Sequence, residues 1–311
     1  MKTFTIFTAA YNRPATLQRL YNSLKRQTFQ DFLWLIVDDS TTNEVQDAVK
    51  EFQNEAIIEI NYVRQPHRGK HWAQRRAFSM FETPYMVEID DDDELTDDCL
   101  QTFFDEWQRI ESTNRDDIGE IRASVVDADG KMISRYTADT PFLDTNNLEM
   151  AWRHNQPSEN CVSRKTSAIQ STNLFRDDGK WLYNQTSLVN EIVMWYRFSR
   201  KYNARFLQKP LRIFHTESDE RQTNSTFNRQ KCIDYVFSNY VLVNELRGRQ
   251  HENLRTLIKY LAEYMVCGCA LRLKIKDLLA HIDGFGPKLT CLLLLPCAWA
   301  YAKWSPRISN S

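Results

Sequence analysis

Glycine is scarce: the 311 residues include only eight, and none of them forms GxGxxG, GxxxxGK[ST] or GxSxG. A dinucleotide fold, a phosphate-cradling P-loop and a hydrolase nucleophile elbow each need glycine at such spacings, so all three lose their main support. Charge of one sign is also missing. Forty basic residues stand against 41 acidic ones, interspersed, for a formal net charge of −1, and no global field draws the chain to nucleic acid. Paired CxxC spacing is absent too. The seven cysteines run from Cys99 to Cys297, and Cys267-Gly268-Cys269 is a weak metal pattern, so they read as small core residues in a reducing compartment. The N-terminal MKTFTIFTAA is followed by Tyr11-Asn12-Arg13-Pro14 where a secretory cleavage region would lie. It reads as a first strand, and the expected location is cytoplasmic. The glycosylation-like triplets at Asn184 and Asn224 matter only in a secreted chain and are set aside.

What is present is a large core and a repeating pattern. With 42% hydrophobic and 12% aromatic residues, the chain suits one large domain plus a smaller appendage. Phe4–Thr8 is short, apolar and β-branched, and Leu17, Leu20, Tyr21 and Leu24 then mark one helical face opening near Asn12 and Pro14. The unit recurs three times. Leu33–Val37 precedes a helix marked by Val45, Ala48, Val49 and Phe52; Ile57–Val63 precedes one marked by Ala73, Ala77, Met80 and Phe81; Tyr85–Ile89 precedes one capped by Thr96 with Leu100, Phe103, Phe104 and Trp107. Four βα units in a row predict a parallel, doubly wound α/β sheet. Ligands in such sheets sit beyond the carboxyl ends of the strands, here the loops Thr8–Arg13, Asp38–Asn43, Pro66–Lys70 and Asp90–Glu94.

The last of these loops carries Asp90-Asp91-Asp92-Asp93-Glu94. Neighbouring carboxylates about 4 Å apart repel by roughly 1 kcal/mol per pair in water and about 4 kcal/mol at an effective dielectric near 20, so burying them calls for a cation. A wet acidic loop is the plain alternative, but solubilising charge has no reason to fall on the ligand edge of the sheet. An EF-hand starting at Asp90 fails, because Leu95 stands where glycine is needed and Gln101 where glutamate is needed.

These stretches together resemble the family-2 glycosyltransferases, whose fold is called GT-A. The similarity lies in Thr5–Asn12 with Arg13, Gln27-Thr28-Phe29, Trp34–Ser40 with Asp38-Asp39, Gly69-Lys70-His71-Trp72-Ala73 with Arg75, and Ile89–Asp93, in order over roughly the first hundred residues. The resemblance implies a GT-A, Rossmann-like, mostly parallel twisted sheet with flanking helices. It implies a nucleotide-sugar donor, a UDP-sugar first, held by Thr8, Tyr11, Arg13, Asp39, Gly69, Lys70, Arg75, Asp90 and Asp91. Asp90 and Asp92, with His215 after a later strand, would bind Mn²⁺ or Mg²⁺; hard cations prefer carboxylate and phosphate oxygens. Ser40, Asn43, His67 and Arg75 depart from the common pattern and bear on which base and sugar are taken.

Past residue 115 the rhythm breaks. Ile118–Tyr136 reads as two strands around an Asp129-Gly130 turn. Asn190–Arg197 resembles the family's helix bearing the catalytic carboxylate, which makes Glu191 the expected general base, with a helix-start glutamate capped by Asn190 as the alternative. Arg197 reads as a helix-neighbour partner or a functional group. From Arg229 onward the chain reads helical. Leu289–Ala302, between Lys288 and Lys303, is short for a span and interrupted by Pro296. It reads as a membrane-interface segment over 289–304 or as a core helix. The expected division is a catalytic domain over 1–222 (donor half 1–115, acceptor half 116–222) and a helical region over 223–311. The expected activity is inverting, metal-dependent sugar transfer to a glycan or lipid-linked glycan hydroxyl in surface-polysaccharide assembly, at the inner face of the cytoplasmic membrane and without nucleic acid. A sugar nucleotidyltransferase and a non-catalytic binding module are the rivals; the first should have a glycine-rich loop where Thr8–Pro14 has none.

Overall fold

The computed structural model describes residues 1–134, 140–153, 159–177, 180–215, 228–246 and 254–304. Two compact units emerge: Met1–Leu174 with Phe198–Ser218, and Phe175–Arg197 with Asp219–Ser311. The expected division at residue 222 falls outside the described residues, and 175–197 groups with the C-terminal helices.

The first unit is a mixed α/β sheet flanked by helices. Its strands are β1 (Phe4–Ala10), β2 (Phe32–Asp38), β3 (Glu59–Arg64), β4 (Tyr85–Glu88), β5 (Glu94–Leu95), β6 (Ile118–Asp127), β7 (Met132–Ser134), β8 (Phe142–Thr145), β9 (Cys161–Lys165) and β10 (Asn203–Phe214). The order along the sheet is β3-β2-β1-β4-β9-β6-β10-β5, with β7 on β6 and β8 on β10. The pairs among β1 to β4 are parallel, as expected from the βα rhythm. Helices α1 (Pro14–Lys25), α2 (Glu44–Glu55), α3 (Lys70–Phe78) and α4 (Cys99–Ser112) follow these strands. Beyond β4 the sheet turns mixed: β9 runs antiparallel between β4 and β6, and β6 pairs parallel with β10.

Helix faces read from the sequence are the buried ones. Leu17, Leu20, Tyr21 and Leu24 of α1, Val45, Val49 and Phe52 of α2, and Leu100, Phe103 and Trp107 of α4 are buried. Tyr21 stacks on Phe52 with ring centroids 4.2 Å apart. Two helix ends differ from expectation. Thr96 does not cap α4: its hydroxyl donates to Asp98 Oδ1 and its carbonyl accepts from Cys99 N, leaving Asp98 at the cap position. Helix α3 stops at Phe78, so Met80 and Phe81 lie past its end. The Asp127–Lys131 turn closes β6 onto β7 with Gly130 at φ 79°; the expected strand end at Tyr136 lies outside the described residues. Two short helices, α5 (Asn147–Arg153) and α6 (Thr166–Thr172), complete the unit.

In the second unit the helices are α7 (Glu191–Ser199, whose last two residues belong to the first unit), α8 (Arg229–Glu245), α9 (Leu254–Ala270), α10 (Ile275–Ala280) and α11 (Phe285–Trp304). Arg197 explains the grouping of 175–197. It is wholly buried, donates twice to Asp177 at 2.7 Å and once to Glu245 at the end of α8 at 3.1 Å. Ser187 adds two bonds to Asp234 of α8, both 2.8 Å. Arg197 therefore has a structural role, in a pair whose rupture would strand a buried charge.

Candidate active site

The four strand-end loops of the first unit meet, and the acidic run sits at their centre. β4 delivers Asp90–Asp93 to the ligand edge, and β5 immediately after it pairs antiparallel with β10, register Arg212 to Leu95 and Ile213 to Glu94. That pairing brings Arg212 onto the aspartates. Its Nε lies 2.7 Å from Asp93 Oδ2, its Nη2 contacts Asp93 and lies 3.3 Å from Asp90 Oδ2, and its Nη1 donates to the Asn160 carbonyl at 3.1 Å. From the β1 loop, Arg13 holds Asp91 through Nε and Nη2 and Asp92 through Nη1 at 2.7 Å. From the start of α3, Lys70 Nζ donates to Asp90 Oδ1 at 2.7 Å. The Tyr11 amide donates to Asp91 as well, at 3.2 Å.

Three basic side chains from three elements thus answer the repulsion within the run. Burial would raise Asp90, but Lys70 and Arg212 override it and hold this carboxyl well below its usual range, so it stays ionised. Burial pushes Asp91 up to about 7, against Arg13 and with Asp92 and Asp90 adding to the rise. Arg212 is buried, which opposes its charge, yet Asp93, Asp90 and Glu159 raise it far above the ordinary arginine value. Asp93 is fully enclosed and committed to Arg212 and to the His215 amide at 3.0 Å.

Asp90, Asp92 and Asp93 place carboxylate oxygens within 4.8 Å of one another. An all-oxygen carboxylate set is what a hard divalent cation takes, so the donor chemistry fits Mg²⁺ or Mn²⁺. Asp93 is wholly enclosed, whereas the Asp90 and Asp92 side chains keep some exposure, so these two could reach an ion by exchanging their contacts with Lys70 and Arg13. His215 is not in this group: its Nε2 pairs with Glu94 Oε1 at 2.9 Å.

A second centre forms around Asp39, whose side chain is nearly enclosed. Its Oδ1 accepts from Gln65 Nε2 at 2.8 Å and the Arg68 amide at 3.0 Å, and its Oδ2 from His67 Nδ1 at 2.7 Å and the Gly69 amide at 2.8 Å. Gly69 sits at φ 100° and ψ 165°, a conformation that residues with a Cβ avoid. Asp39 therefore orders the whole β3–α3 loop. The loop presents His67, stacked on Tyr11 with ring centroids 4.6 Å apart. Beside the stack lies an open groove of about 520 Å³ lined by Ser40, Thr41, Arg64, Gln65, Pro66 and His67. Asn12, at φ 51°, ties the β1 loop to the β2 loop through Thr41 and the Ser40 hydroxyl.

Of the residues singled out from the sequence, Tyr11, Arg13, Asp39, Gly69, Lys70, Asp90, Asp91 and Asp92 gather at this edge. Thr8 is fully buried, its hydroxyl accepting from Trp34 Nε1 at 3.0 Å. Arg75 lies on α3 with its guanidinium 5.6 Å from the Trp72 ring centre, and Arg68 lies 3.4 Å from the same ring. Glu191 opens α7 in the second unit, and Asn190 caps that helix by accepting from the Ile192 amide at 3.0 Å. Sequence reasoning missed Arg212, Gln65 and His67 as partners of the aspartates. For Arg212 the only available signal was a basic residue in a strand entering the expected site.

The description Glycosyl transferase family 2 belongs to the family model that matches residues 5–188. A teichoic acid poly(glycerol phosphate) polymerase of Staphylococcus epidermidis is 28% identical over 174 residues, 54% of this chain and 21% of that protein. An uncharacterized glycosyltransferase of Nostoc is 25% identical over 140 residues, 45% of this chain and 42% of that one. The matched stretch is thus less than half the length of either relative. Crystal structures of residues 1–349 of S. aureus TarS are similar over 97% of this chain at 14% identity. Free TarS gives a TM-score of 0.57 over 91% of its chain, and the complex with UDP-GlcNAc gives 0.56 over 92%. That likeness carries the fold.

Proposed function

The chain belongs to glycosyl transferase family 2, and from that premise we propose that it moves a sugar from a UDP-sugar to an acceptor hydroxyl, with inversion at the anomeric carbon. One observation carries the reading: a groove beside an aromatic stack and a cluster of aspartates flanked by Arg13 and Lys70 lie on the same strand-end edge. The stack suits a nucleoside base, whose flat face packs on Tyr11 and His67. Arg13 and Lys70 suit a diphosphate, as Nζ and guanidinium donors that can exchange carboxylate for phosphate oxygens. Asp90 and Asp92 would hold Mg²⁺ or Mn²⁺, His215, the further ligand that the resemblance implies, would have to give up its Glu94 bond to join them, and the ion would offset charge on the departing diphosphate. UDP-GlcNAc is the first donor to try, because the similar TarS structure was solved with it.

Transfer with inversion needs a base on the acceptor oxygen but no separate acid when the leaving group is a diphosphate. We assign that base to Glu191, held at the first position of a capped helix. The teichoic acid name of one relative supports an acceptor among cell-surface polyols or glycans, reached from the cytoplasmic side. The test is release of nucleoside diphosphate from a panel of nucleotide sugars, with and without candidate acceptors. Acceptor-stimulated release from a UDP-sugar is expected. Pyrophosphate-dependent nucleotide formation would point to a nucleotidyltransferase, and binding without release to a non-catalytic module.

A further inference from the structure

Helix α11 packs along α9 on one side, and among the described residues its other side is exposed. Its buried stripe is Pro287, Cys291 and Ala298, at the spacing of one helical face. The side turned away from that stripe is apolar: Phe285, Leu289, Leu292, Leu293 and Trp299 are 81%, 44%, 46%, 72% and 60% exposed. By length and composition Phe285–Lys303 could cross a membrane, and among the described residues only 11% of it is buried, less than a core helix would show. A patch of this size on an otherwise polar surface needs a partner.

Charge identifies the partner. The chain as a whole is balanced, 40 basic against 41 acidic residues, yet residues 254–304 hold seven Lys and Arg against three Asp and Glu. Arg255, Lys259, Arg272, Lys274 and Lys276 of this stretch are exposed. Lys303 Nζ lies 5.0 Å above the Trp299 ring, so a cation and an interfacial aromatic share the uncovered side. Apolar anchors with a basic surround fit an anionic lipid surface. A spanning orientation does not fit, because α11 lies on α9, and carrying Arg255 and Lys259 of α9 into hydrocarbon is costly.

We infer that α11 docks in the plane of an anionic membrane, with Leu289, Leu292, Leu293 and Trp299 entering the headgroup boundary. This inference stands apart from the transferase reading, and its test needs no substrate. The full-length protein is floated with vesicles of phosphatidylcholine alone and with 30% phosphatidylglycerol, at low and high salt. Binding to the anionic vesicles, weakened by salt, is expected. Leu292→Glu with Leu293→Glu should lower the bound fraction at least tenfold while leaving the melting temperature unchanged, since both side chains are exposed. Lys288→Gln with Lys303→Gln should bind more weakly at low salt only. Absence of vesicle binding, or binding indifferent to the two glutamates, overturns the inference. A wild-type dimer that the glutamates dissociate, without vesicle binding, would assign the face to a second copy of the chain instead.

Discussion

Asp39→Asn is the sharpest perturbation of the site, because it changes one atom of a carboxylate whose two oxygens accept from four donors. Two are the side chains of Gln65 and His67, and two are the amides of Arg68 and Gly69. An asparagine amide can satisfy one oxygen's donors but sets an NH₂ against the other pair, whichever way it is turned. Bonds to a charged acceptor contribute roughly 1.5–3 kcal/mol each, and part of the loss relaxes when the loop moves, so about 3 kcal/mol is expected. The loss falls on the β3–α3 loop first. Hydrogen exchange at the Arg68 and Gly69 amides should accelerate about a hundredfold, since each 1.4 kcal/mol is a factor of ten. If the loop is coupled to the whole unit, melting falls by roughly 6–12 °C. UDP affinity should drop with it, because His67 loses the bond that holds it against Tyr11. Unchanged amide protection in a variant that melts with the wild type would refute the idea that Asp39 orders this wall.

Glu120, enclosed by Arg122, Arg164 and Asn147, has its carboxyl lowered to about 2 from an ordinary 4.5; burial opposes the shift and the two arginines drive it. Its contribution, roughly 3 kcal/mol, is fully present above about pH 4.5 and is lost as pH falls toward 2, so Glu120→Gln should melt lower at pH 7 and show a shallower acid decline in stability. Gly69→Ala forces a Cβ onto φ 100° and should cost about 1–3 kcal/mol, read as a lower melting temperature and weaker UDP binding by calorimetry. Glu191→Gln should lower turnover roughly 10²-fold with little change in donor affinity; near wild-type turnover in the purified variant would leave Glu191 as a helix-start residue only.

The parallel half of the sheet was legible because each strand there is followed by a helix with one apolar face, as in Leu17, Leu20, Tyr21 and Leu24. Strand β9 was not. Cys161–Lys165 is five residues long with no strong periodicity, and it is a strand because β4 and β6 need a partner between them. The aspartate run showed that positive charge had to be near, but not its source. A metal ion was the cation sought from the sequence. The fold brings Arg13, Lys70 and Arg212 to the run as well, from positions 77 residues behind to 122 ahead of Asp90, and Arg212 arrives only through the two-residue strand β5. Long-range pairing of that kind leaves no local pattern. Asp39 illustrates the same limit: its position marked it for the site, while its saturation by Gln65, His67, Arg68 and Gly69 depends on a loop path set by Gly69.

The most direct test is a calorimetric titration of UDP-GlcNAc into the full-length protein with Mn²⁺, with EDTA, and with Asp92→Ala in Mn²⁺. The account predicts saturable binding in Mn²⁺ that weakens at least tenfold in EDTA and to a similar extent in the variant, whose fold is checked by its melting curve. Equal affinity in all three titrations, or no binding of any UDP-sugar under the first condition, would contradict the assignment of this strand-end edge as a nucleotide-sugar site.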